Sequence, residues 1–201
     1  LKADIDAGGY ISSNSYLEIT ISNASTLTLA EYNIIDAATT GKVLISDTNA
    51  NVQSFINNGT VSNLSNVEIT DTTTKTDIDT FKSNSITDIR LNTLKFTGTE
   101  NLSLDSLYNT DGVKMIHTID MKNGAANQLL SISTATIGSM NIYGTSEDSL
   151  FITTDGALDS VTFGDITAWT ATQNVSINGG IYDKYTTGFS EIYIEDGTVI
   201  A

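Results

Sequence analysis

Along this chain, aliphatic or β-branched residues recur in couplets separated by one polar residue and closed by Asn, Asp, Thr or Gly. The copies are "LEITISN" (17–23), "VLISDT" (43–48), "VEITDT" (67–72), "DIRLNT" (88–93), "LKFTGT" (94–99), "TIDMKN" (118–123), "MNIYGT" (140–145), "VTFGD" (161–165), "VSINGG" (175–180) and "IYIEDG" (192–197). Period-two alternation puts successive side chains on opposite faces, so each copy is predicted as a short, half-buried strand ending in a turn. Ile45, Ile69, Leu91, Ile119, Ile142 and Phe163 follow one another at slightly more than twenty residues. That interval predicts a mainly β chain of the β-solenoid type, parallel β-helix or β-roll-like, in which each coil stacks its apolar edge on the next. A β-sandwich with irregular strand spacing is the alternative.

Two segments break the alternation and predict one or two short helices. "DTNANVQSFINNG" (47–59) sets Val52, Phe55 and Ile56 at helical spacing, with Asp47, Thr48 or Asn49 to cap the start and Gly59 to end it. "DTTTKTDIDTFKSNSI" (71–86) holds a further turn of helix through Ile78 and Phe81. The helical interruptions stop near residue 86, a soft internal boundary, but no Pro-rich or Gly/Ser-rich linker follows it. One elongated body spanning residues 1–201 is therefore expected. The start at Leu1, with neither Met nor a basic, apolar leader, reads as a fragment of a longer chain.

Composition sharpens this picture. Hydrophobic residues make up 39% of the chain, enough for a core, whereas charged residues make up only 16%, so Ser, Thr and Asn supply most of the polar surface. With 24 acidic against 9 basic residues the net charge is -15, which lacks the clustered Lys and Arg that nucleic acid requires and favours divalent cations instead. There is no cysteine, hence no disulfide framework or thiolate site, and no proline. No apolar run reaches the roughly 18 to 20 residues of a membrane span.

Catalytic chemistry has little to work with. His117 is the only histidine, Arg90 the only arginine, and no "GxSxG" elbow accompanies them. A non-catalytic role is the primary expectation. Paired carboxylates for cleaving a polysaccharide on a β-helical scaffold remain a lesser alternative. Calcium fits better, because a hard cation takes carboxylate and carbonyl oxygens from tight turns. "YGTSEDSLFI" (143–152) partly matches the nonapeptide G-G-x-G-x-D-x-U-x, with Gly144, Asp148 and Leu150 in place, while Tyr143 and Ser146 replace two glycines, so a degenerate coil held by ordinary hydrogen bonds is the first expectation there and a bound ion the second. Glu147, Asp148, Asp155 and Asp159 are the candidate metal ligands. Trp169, Tyr182 and Tyr185 are the aromatics that could bind a glycan.

The last 60 or so residues, from "MNIYGTSEDSLFITTDGALDSV" to "EIYIEDGTVIA", carry an apolar couplet, Asp159 to Val161, then Trp169-Thr170, Gly179 to Tyr185 in the pattern G-x-x-Y-D-x-Y, and a closing strand with an acidic turn. This region resembles the C-terminal part of large repeats-in-toxin-type bacterial surface proteins. Residues 26–93 are similar, more weakly, to repeats of long adhesins and surface-layer proteins. The resemblance implies a surface-layer protein or adhesin, secreted to the bacterial cell surface by type I export. Its C-terminal signal would be Glu195, Asp196, Val199, Ile200 and Ala201. It also implies folding outside the cell with calcium, and self-association into a lattice or contact with the rest of the parent protein. A module binding a cell-surface or matrix glycan is the alternative function.

Overall fold

The computed structural model describes residues 18–58, 64–140, 149–188 and 190–201. The couplets form strands: β1 (Ile19–Ile21), β2 (Val43–Asp47), β3 (Asn66–Thr74), β4 (Asp88–Lys95), β5 (Asn101–Ser103), β6 (Val113–Asp120), β7 (Gln128–Ile132) and β8 (Leu150–Thr153). They continue with β9 (Asp159–Phe163), β10 (Thr170–Ile177), β11 (Gly180–Thr187), β12 (Ser190–Glu195) and β13 (Val199–Ile200). Nine strands make a large sheet in the order β1-β2-β3-β4-β6-β8-β12-β11-β10, and four make a smaller one, β13-β9-β7-β5. From β1 to β12 the large sheet is parallel. Only the β12-β11-β10 pairings are antiparallel, and the small sheet is parallel throughout.

Register explains the spacing of the couplets. Ile45 pairs with Val67, Val67 with Ile89, and Ile89 with Val113. A second buried row runs from Ile69 through Leu91 to Ile116, and a third from Leu94 through Ile119 and Ile152 to Ile194. The expected series therefore slips. Ile45 meets Val67 rather than Ile69, Phe163 belongs to the small sheet opposite Ile132, and "MNIYGT" falls almost wholly outside the described residues. The single couplets at 88–93 and 94–99 fuse into β4.

Five short helices, rather than one or two, lie among the described residues. They are α1 (Leu29–Ala37), α2 (Asn49–Asn57), α3 (Lys75–Ser83), α4 (Leu104–Asn109) and α5 (Thr134–Ser139). Thr28 and Thr74 start α1 and α3 with reciprocal caps to Glu31 and Asp77, and the Thr48 side chain accepts from the Asn51 N–H at the start of α2. Tyr32 and Ile35 of α1, Val52, Phe55 and Ile56 of α2, and Ile78 and Phe81 of α3 join the sheet residues in one continuous core. Further along, Leu130, Ile132, Val161 and Phe163 of the small sheet supply part of that core. Each such side chain, fully buried, contributes about 1.5–3 kcal/mol. The β3–β4 ladder and the buried Ile86 carry this core straight across residue 86. No helix among the described residues is long and apolar enough to cross a membrane.

Candidate functional site

Several acidic residues accept hydrogen bonds from segments distant in sequence. Asp47, the last residue of β2, takes the Ala24 N–H at 2.7 Å on one oxygen, and the Thr48 N–H at 2.7 Å and Asn51 Nδ2 at 3.0 Å on the other. Asp71 takes the Asn49 N–H at 2.7 Å, from 22 residues earlier. Asp155 takes the Asn123 and Gly124 N–H groups at 3.0 and 2.6 Å. Glu195 takes the Thr154 N–H at 2.9 Å and the Lys122 ammonium at 2.6 Å. Asp105 of α4 receives the hydroxyls of Ser133, at 2.6 Å, and Thr136 at the start of α5. A carboxylate accepting backbone N–H groups makes charge-assisted bonds stronger than neutral ones. At these positions a carboxylate fastens one turn of the chain to another.

Two of the four candidate metal ligands, Glu147 and Asp148, lie outside the described residues. The other two are engaged with the backbone. Asp155 holds the 123–124 turn, and Asp159, only 1% exposed, accepts the Asp155 N–H at 2.7 Å through one oxygen while the other has no partner. Burial pushes the Asp159 carboxyl above its usual range, with the Asp155 charge adding to the effect. Among the described residues no three His, Asp or Glu side chains gather as a metal would require.

Burial also sorts the candidate aromatics. Trp169 and Tyr185 are 8% and 7% exposed and pack on Phe163, with ring centres 5.1 and 4.9 Å away, so both belong to the core and neither offers a face to a sugar. Tyr182 lies on the opposite face of β11, half-buried. There it meets Phe151 edge-on at 5.7 Å, and Phe151 stacks on Tyr193 at 4.9 Å. Ion pairs flank the three rings: Lys184 with Glu191 at 2.5 Å, and Lys122 with Glu195 at 2.6 Å. The Glu191 carboxyl is held below its usual range, first by the Lys184 hydrogen bond. Phe151 and Tyr193, which sequence reading passed over, complete the aromatic cluster.

His117 lines a groove of about 210 Å³ on the large sheet with Glu68, Thr70, Asn92 and Met115, beside the irregular registers of β3, β4 and β6. Arg90 forms a two-pronged pair with Glu18 at 2.9 and 2.6 Å, a bond between segments rather than toward the groove.

The tail residues are built into the fold. β13 pairs parallel with β9, the Ala201 N–H donates to the Val161 carbonyl at 3.0 Å, and Ile200 packs on the core while Val199 is 44% exposed. Glu195 anchors the Thr154 turn, and the Asp196 N–H donates to the Ile181 carbonyl at 3.0 Å. Comparison with protein-family models, with curated proteins and with solved structures finds no match to this chain.

Proposed function

We propose that this chain is a non-catalytic extracellular structural protein, the C-terminal part of a bacterial surface-layer protein or large adhesin, wound as a β-solenoid. The observation that carries the reading is the turn-to-turn fastening of parallel ladders. Strands aligned in one direction at near-constant sequence intervals, with Asp47 and Asp71 tied back to the preceding turn, suit a rod that transmits load rather than a cleft that turns over substrate. Export would be by the type I route, with the terminal Glu195 to Ala201 segment read before it pairs with β9. In this reading calcium acts between copies, by bridging acidic faces that otherwise repel at a net charge of -15. Light scattering and circular dichroism during a calcium titration, with magnesium and chelator controls, test it. Ordered assemblies that grow with calcium and dissolve with chelator are expected. A monomer with an unchanged β signal throughout rejects the calcium-bridged lattice.

The cluster of Phe151, Tyr182 and Tyr193 favours a second reading, a glycan-binding adhesin module. The Phe151 and Tyr182 rings, half-buried beside paired charges and backed by the buried Tyr193, offer a sugar both C–H stacking and hydrogen bonds. On this reading glycan-array binding is lost in Tyr182→Ala and retained in a conservative Trp169→Phe variant. Equal binding by all three proteins, or binding by none, removes it.

A further inference from the structure

The large sheet ends on β10, at eight residues the longer of its two edge strands. Its eight residues, "TATQNVSI", carry no charge in a chain of net charge -15. Thr170 to Asn174 are exposed in an unbroken run, so no other described residue covers this part of the strand. On one side β10 is paired to β11 on both flanks of a bulge, from Thr170 opposite Thr186 to Ile177 opposite Gly180. On its other side an edge strand presents alternate N–H and C=O groups with no ladder partner, a template for another strand. Natural edges are blunted by lysine, proline, a bulge or a covering element. Here only the bulge between Thr172 and Val175 is present, with Asn174 in the left-handed region and its N–H held at 3.1 Å by the Asp183 carboxylate of β11.

We infer that β10 is a self-association surface, pairing antiparallel with β10 of a second copy about a two-fold axis through the bulge. The charge distribution selects that occupant. Two copies repel each other wherever their acidic faces meet, and the uncharged edge is where they approach at least cost. The axis at the bulge sets Thr170–Thr172 of one copy against Val175–Ile177 of the other, so the two irregularities face each other and displace neither run. The contact is isologous and closes at two copies. One strand edge buries less than a standard interface, so the pair is weak and reversible alone and gains strength when copies are held side by side. The inference deepens the assembly reading above and rests on it for its partner, but uses no cation.

Sedimentation equilibrium of the purified chain in chelator is the test. Reversible dimers are expected for the natural sequence. In the paired arrangement Ala171 faces Ser176 of the other copy. Ala171→Lys/Ser176→Lys therefore sets like charges opposite each other and weakens association by more than about tenfold. Ala171→Glu/Ser176→Glu does the same, and an equimolar mixture of the two variants associates again. That recovery cannot come from misfolding, and circular dichroism checks each variant. A monomer in chelator at every accessible concentration overturns the inference, even if calcium then drives assembly and the structural reading stands. Undiminished dimers of the lysine variant, or a mixture that stays monomeric, also overturn it. Dimers in chelator to which calcium adds nothing uphold the β10 pairing and reject the calcium lattice.

Discussion

Replacing Gly112 with alanine is expected to lower the unfolding free energy by about 3 kcal/mol, against about 1 kcal/mol for Gly124→Ala. Both glycines have left-handed backbone, with φ of +76° and +73°. The difference is space. A Cβ on Gly112 would lie 2.9 Å from the Thr87 carbonyl oxygen and 3.2 Å from the Thr87 Cα, whereas one on Gly124 meets nothing within 4 Å. Backbone cannot turn aside as a flexible side chain can, and the Gly112 carbonyl also accepts the Ile89 N–H at 2.9 Å, so displacement pulls on the start of β4. The preceding residue, Asp111, is 5% exposed and bridges Lys75 and Lys82 at 3.4 and 3.1 Å, which fixes the turn from its other side. Thermal and urea unfolding of the two variants measure the contrast. Equal losses would mean that the turn relaxes and that only the backbone preference was lost.

Acidification is expected to unfold the chain through its turns. For Asp47, burial pushes the carboxyl upward, but the hydrogen bonds from Asn51, Thr48, Ala24 and Ser25 outweigh burial and hold it below the usual range. Asp77 behaves alike, with burial opposed by Thr74, Gln53 and Asn49. A carboxyl depressed in the folded state contributes stability that is complete above its unfolded value, about 3.9, and is lost as pH falls through the lower folded value. Asp159 has the opposite sign. Its raised carboxyl protonates in the folded state first, so that group favours folding as pH falls and partly offsets the loss. Melting temperature should hold level from neutral pH down to the ordinary carboxylate range and then drop. The double variant Asp47→Asn/Asp77→Asn should melt lower at neutral pH and show a shallower acid decline. An undiminished decline in that variant would place the acid sensitivity elsewhere.

The strands were legible because alternation fixes which face each residue occupies. Register was less so. A shift of one residue would expose the core, but a shift of two preserves every face, so pattern alone could not separate Val67 from Ile69 as the partner of Ile45. The small sheet was missed as a separate layer because its strands follow the same alternation as those of the large sheet. Helices α4 and α5, six residues each, are too short to display a helical period.

At the aromatic cluster, Tyr182 and Tyr185 stand three positions apart, which on a strand places them on opposite faces, and the structure buries only the second. Phe151 lies between Leu150 and Ile152, and Tyr193 between Ile192 and Ile194. Unbroken apolar runs conceal which member points outward. The carboxylate fastenings carry no local signature at all, since donor and acceptor are a full turn of chain apart.

The parallel register has a mechanical consequence. From β1 to β4 consecutive strands pair in order, at intervals of 21 to 24 residues. Tension applied across that stack falls on one ladder at a time and peels the outermost strand from its neighbour, leaving the next intact. Each release pays out about 75 Å of extended chain. Pulled from its β1 side, the protein should therefore yield in small, separate extensions, dissipating a shock by steps and re-forming rung by rung once the load is removed.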